Sequence, residues 1–118
     1  MKKIDLLGCL IGRFYFKKTH NGNLIGEFSN NRINIISSES SDAQNENNSN
    51  DFVGDYNTTW QQDGEPFFCK LTIGYRQNTA QRIYELEWVD RNGTPMFVGE
   101  GFVFENTLIG DYRDFVIN

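Results

Sequence analysis

Chemistry has few places to start in this chain. It holds one histidine, His20, and two cysteines, Cys9 and Cys69. That set offers no cluster with metal-ligand spacing, and two cysteines make no disulfide framework. His20 sits in a His-Asn-Gly turn, where a solvated side chain is expected. Cys69 alternates with Phe67 and Leu71, which marks a small buried hydrophobe rather than a reactive thiol. There is no nucleophile–base pair and no phosphate-cradling glycine loop, so no catalytic residue, metal ligand or cofactor is assigned. What remains is one acid in an apolar row. Met96, Val98, Glu100, Phe102 and Phe104 alternate along one stretch, and Glu100 is the exception among them. A buried carboxylate must gain donors, meet water or keep its proton. Tyr84 and Tyr112 can offer hydroxyls if the neighbouring strands pair as the turns suggest. Three roles stay open: a satisfied core network, an anchor for a ligand's polar end, or a general acid–base pair for an isomerase or hydro-lyase. Catalysis is the least supported. A register slipped by one would instead turn Phe97, Gly99, Gly101 and Val103 inward and leave Glu100 in solvent.

The elements that must position these groups are strands. Apolar residues recur with period two nearly throughout, as in Phe67, Cys69, Leu71, Ile73, Tyr75 and in Tyr84, Leu86, Trp88. Eight strands are predicted, at about 9–19, 24–30, 32–38, 52–60, 67–77, 82–90, 94–105 and 108–117, with no helix. Residues 37–51, SSESSDAQNENNSND, are polar with almost no apolar anchor and predict a flexible loop. Long loops in compact domains are commonly functional or disordered, so a lid is one reading of it and an inert loop the other.

One pattern occurs four times: LIGRF at 10–14, LIGEF at 24–28, FVGDY at 52–56 and LIGDY at 108–112. Its first, third and fifth residues share a face, so Phe14, Phe28, Tyr56 and Tyr112 point inward behind a glycine. Glycine on the packed face relieves crowding where a sheet bends sharply, and a tightly curved sheet can close and lose its edges. Turn parity sharpens the register. A three-residue loop at His20–Gly22 pairs Phe14 with Phe28 and Phe16 with Gly26. Similar loops at 91–93 and 105–107 would pair Trp88 with Met96, Tyr84 with Glu100, Phe102 with Gly110 and Glu100 with Tyr112. Asn30, Thr58 and Asp114 then fall on the inner face at one barrel end. Ile11, Ile25, Val53 and Ile109 face outward, and an apolar band on the outer face predicts a homodimer or larger homo-oligomer.

At 118 residues one domain is expected, with enough buried surface for one core. The net charge of −5 supplies no basic stripe for a nucleic acid or an anionic membrane surface. No apolar run approaches the ~18 residues of a membrane span. The N-terminal MKKIDLLGC has a Leu-Leu-Gly-Cys run like a lipoprotein cleavage box, but its apolar stretch is short and broken by Asp5, so export or anchoring at Cys9 is not expected and a cytoplasmic location is.

Eight antiparallel strands joined by meander turns, with recurring Gly-x-aromatic pairs, resemble the calycin group, the lipocalin and avidin barrels. LIGRF resembles their Gly-x-Trp strand opening, with Phe14 in the tryptophan's place, and NGNLIGEF is similar to the second strand of avidins. The resemblance implies an eight-stranded antiparallel up-and-down β-barrel of a bacterial lipocalin-like kind. It also implies an open mouth lined by the 37–51 loop, the 19–23 turn, 78–81 and 105–107. The function expected is non-enzymatic binding of a small, mostly apolar ligand inside the barrel. Its walls would be Phe14, Phe28, Tyr56, Tyr84, Trp88, Phe102 and Tyr112, with Glu100 orienting the ligand. The alternative is a solid-cored structural or interaction module that self-associates through its outer apolar band.

Overall fold

The computed structural model describes residues 9–44 and 51–115. The first eight residues, weighed above as an export signal, residues 45–50 of the 37–51 stretch weighed as a lid, and the last three residues, where strand eight was expected to end, lie outside the described residues. Eight strands run in order as β1 (Ile11–Lys18), β2 (Leu24–Asn30), β3 (Ser37–Ala43), β4 (Gly54–Gln62), β5 (Glu65–Tyr75), β6 (Tyr84–Val89), β7 (Pro95–Phe104) and β8 (Thr107–Asp114). Each pairs antiparallel with its chain neighbour, and β1 pairs with β8 to close the barrel. Closure leaves no edge strand to pair with another chain. The all-β, eight-stranded closed barrel expected from the periodicity is the fold observed.

Turn chemistry sets the first register as expected. Thr19 N donates to Asn23 O across the three-residue loop and Gly22 takes a φ of 87°, which glycine reaches without strain. Phe14 accordingly faces Phe28, and Phe16 faces Gly26. The β4–β5 hairpin turns on Asp63 and Gly64, both at positive φ, the pairing that a two-residue turn requires.

Two expectations fail, each for a local reason. β3 occupies Ser37–Ala43, inside the stretch read as a flexible loop, whereas 32–36 form the connection from β2. Its inward positions are Ser37, Glu39, Ser41 and Ala43, so the alternation is real but carries no hydrophobic signal. β7 is displaced by one residue. The Asp90–Thr94 loop forms as expected, but a bulge follows: Val89 faces Pro95 while Trp88 faces Phe97, leaving Met96 as the extra residue. Proline at 95 cannot donate to the ladder, which suits the start of a strand beside a bulge. At its other end β7 turns through only two residues, Glu105 and Asn106, both at positive φ. Both corrections have the same parity, so Gly99 and Gly101 now face inward across from Leu86 and Tyr84, and Glu100 faces Glu85 and Asp111 on the outer wall.

The core fills the barrel from side to side. Phe16, Leu24, Tyr56, Leu71, Ile73 and Leu108 are almost wholly buried, with Phe14, Phe52, Trp60, Tyr84, Leu86, Trp88 and Tyr112 around them. Glycines make room for the large rings. A Cβ on Gly12 would lie 2.2 Å from the Tyr112 ring, and one on Gly26 would lie 2.0 Å from the Tyr15 carbonyl oxygen and 2.7 Å from Phe16. At Gly26 the obstacle is backbone, which cannot swing aside. Gly26→Ala should therefore cost about 2–3 kcal/mol in chemical denaturation, in the range of overpacked cores. Gly74→Ala is the control, because a Cβ there meets nothing within 4 Å. It should change stability by no more than about 0.5–1 kcal/mol, in the stabilising direction.

Candidate functional site

The acid inside the barrel is Glu39, not Glu100. Glu39 projects inward from β3, between Gly26 on β2 and Trp60 on β4, and is 5% exposed. Its donors come from two other strands. The Thr58 hydroxyl donates to Oε2 at 2.5 Å, and the Trp88 indole N–H donates to the same oxygen at 3.0 Å. Ser41 in turn donates to Thr58 Oγ1 at 2.8 Å. When Glu39 holds a proton, the short bond reverses direction, and the Thr58 hydroxyl turns to the Ser40 carbonyl 3.3 Å away. The network thus accommodates either state of the acid.

Both hydrogen bonds fall on Oε2. Oε1 accepts none, yet it is not among sealed polar atoms lacking a partner, so it faces free space. That space is a slot of about 20 Å³, on the scale of one water molecule. Phe14, Phe28, Trp60, Trp88, Phe97 and Tyr112 wall it, in tilted or T-shaped contacts with centroids 5.6–6.5 Å apart. Leu10, Asn30 and Gln62 complete the lining. Asn30 Nδ2 donates to the Tyr112 hydroxyl at 3.0 Å and holds that ring against the slot. Phe28, Asn30, Gln62 and Phe97 are the lining residues that retain exposure, so the slot opens at the end carrying the β2–β3 connection.

Electrostatics follow from burial. Desolvation raises the Glu39 pKa to about 7, and the Thr58 and Trp88 donors offset only part of that rise. Among the described residues no ion pair involves Glu39. Burial also pushes the Cys69 thiol up to about 11 and raises the Tyr112 hydroxyl, so both keep their protons at neutral pH. Among the described residues no group of three His, Cys, Asp or Glu side chains could hold a metal.

The expected site residues divide three ways. Phe14, Phe28, Trp88 and Tyr112 do line the slot. Tyr56 and Tyr84 are buried at the opposite end, where the Tyr56 hydroxyl donates to the Phe52 carbonyl at 2.8 Å and the Tyr84 hydroxyl to Asp51 at 2.8 Å. Arg82 reaches the same Asp51 at 3.4 Å and lies over the Tyr75 ring. This is the end expected to form the open mouth. A broad depression lies there, rimmed by His20, Asp51, Arg82 and Phe102, but Phe52 and Tyr84 floor it. Glu100 and Phe102 are corrected: the β7 bulge places both on the outer face. Glu100 pairs there with Arg76, and Phe102 is 59% exposed beside Ile109. Thr58, grouped by parity with Asn30 and Asp114, belongs to the Glu39 network. Asp114 instead accepts from Leu10 N at 3.3 Å and lies 3.8 Å from Arg32.

Glu39, Trp60 and Phe97 are the functional candidates that sequence reasoning missed. Parity along Ser37, Glu39, Ser41 would have found Glu39 once β3 was placed there. No protein-family model, curated protein or solved structure matches the chain.

Glu39 ordinarily titrates at 4.5 and in the fold at about 7, so between those values the native state holds a proton that the unfolded chain has lost. The contribution is full below about pH 4.5 and is lost as pH rises through about 7, roughly 3 kcal/mol in all. The stability difference between the wild-type protein and Glu39→Gln, measured by denaturation across that window, should shift against the wild type by that order as pH rises. A flat difference would show Glu39 titrating normally.

Proposed function

We propose that this barrel binds a small, mostly apolar molecule at the slot above Glu39, without catalysing a reaction on it. The observation that carries the reading is a buried carboxyl with one oxygen unpartnered and turned toward an aromatic-walled slot. Apolar walls with a few convergent polar groups are the usual composition of ligand sites. In this reading the ligand's polar end meets Oε1 while its apolar body lies against Phe28, Phe97 and Trp60. A ligand larger than a water molecule widens the slot by moving the half-exposed rim, Phe28, Asn30, Gln62 and Phe97. The up-and-down closed barrel and its Gly-x-aromatic strands support a calycin-like, lipocalin-like placing for such a binder. Among the described residues no second acid and no histidine lines the slot with Glu39, which favours binding over acid–base chemistry.

Native mass spectrometry of protein purified from its own host tests this reading. The expected spectrum holds a retained small molecule that is lost from a Trp60→Ala, Phe97→Ala variant. Bare protein, with no perturbation of the Trp88 indole resonance by a library of small aromatic and aliphatic fragments, would overturn it.

A second reading has its own observation. The β7 shift places Phe102 and Phe104, each 59% exposed, outside beside Ile109, and Ile25 and Ile11 are exposed on the adjoining strands. Val53, expected in that band, instead packs against the core. An exposed apolar wall of this kind supports self-association. Light scattering at micromolar concentration should then give more than the monomer mass, falling to the monomer in Phe102→Ser, Phe104→Ser without loss of stability.

A further inference from the structure

Resting on the ligand-binding reading, we infer that the ligand's polar end is an organic ammonium, held between Glu39 Oε1 and the surrounding aromatic rings. The first support is charge. When Glu39 is ionised, both of its donors, the Thr58 hydroxyl and the Trp88 indole, are neutral, and among the described residues no cation pairs with it. A buried anion without a counter-charge is costly, and a cationic ligand supplies the charge that the fold does not. The second is the wall. A cation is attracted to the faces of Trp, Tyr and Phe within about 6 Å of the ring centre. Trp88 packs edge-on with Phe14 and Phe97, and Phe97 edge-on with Tyr112 and Trp60. All five of these rings line the slot that Glu39 also lines. The third is elimination. An inorganic cation would need several oxygen, nitrogen or sulfur ligands, and one carboxylate oxygen among aromatic rings does not provide them. An anion would meet repulsion from Glu39. A neutral alcohol would satisfy Oε1 but leave the charge unanswered.

The test uses matched probes on the full chain at about pH 8.5, above the titration of Glu39 and below that of an alkylammonium. n-Butylammonium is compared with n-butanol, and benzylammonium with benzyl alcohol, by calorimetry and by the Trp88 indole N–H resonance. The expected result is at least tenfold tighter binding of each ammonium than of its alcohol. Glu39→Gln should remove that preference, so that each ammonium binds no tighter than its alcohol. Lowering the wild-type protein to about pH 5.5 is the second arm, needing no variant. It protonates Glu39 while Cys69 from β5 and Tyr112 from β8, the other titratable groups facing the site, keep their protons, and the ammonium preference should disappear. Equal binding of ammonium and alcohol would overturn the ammonium inference and leave the binding site standing. No response to any of the four probes would overturn both.

Discussion

Closure of a single hydrogen-bonded ladder is the constraint on which the rest of this structure depends. Every strand has a neighbour on each side, so the parity of each strand is fixed twice, once by the turn before it and once by the turn after it. A one-residue error at either end would send a whole row of side chains through the wall. The β7 strand shows how the two ends agree. The bulge at Met96 shifts it by one, and the two-residue turn at Glu105 and Asn106 shifts it back into step with β8. Without both, Tyr112 could not face inward on β8 while Gly99 faces it from β7. The Tyr112 ring lies over Gly12 of β1, where a Cβ would come within 2.2 Å of it, and so forms part of the slot.

Much of the fold was legible because the hydrophobic period is two and the glycine-aromatic repeat marks the same face four times. Leu10, Phe14, Leu24, Phe52, Tyr56, Leu108 and Tyr112 all lie where that repeat puts them. The His20–Gly22 loop was legible because glycine supplies the positive φ that the turn needs. The Glu105–Asn106 turn was not, because glutamate rarely takes the left-handed region and gives no signal for it. The bulge was not, because its extra residue, Met96, looks like any other apolar strand residue. These two silent features moved Glu100 and Phe102 from the core to the surface. The buried acid sits on β3 as Glu39, and Glu100 of β7 faces outward.

β3 failed to announce itself for a related reason. Its inward residues are small or polar, so neither composition nor hydropathy separates it from a loop. Yet the small side chains serve packing. An eight-stranded barrel has an interior just wide enough to be filled by side chains, and this chain carries large rings on most of its other strands. Ser37, Ser41 and Ala43 are small where the neighbouring strands set Phe28, Leu24 and Tyr56 beside them. The serines bring hydroxyls that a core must then satisfy, and the Ser41–Thr58–Glu39–Trp88 chain of hydrogen bonds satisfies them across three strands.

That chain links packing to the orientation of the buried acid. A core built only to be stable would do as well or better with an apolar side chain at position 39, since buried polar groups tend to break even against well-packed hydrophobic replacements. Here the carboxyl is held by two donors on one oxygen, and the other is turned to the slot. Two donors on Oε2 fix the orientation of the group, because the Trp88 indole is itself wedged between Phe14, Phe97 and Tyr112. Oε1 is thereby aimed by the same rings that enclose the slot. The aromatic packing that stabilises this end of the barrel and the hydrogen bonding that orients the Glu39 carboxyl are one arrangement. The polar network therefore serves to position an acceptor as well as to fill the core.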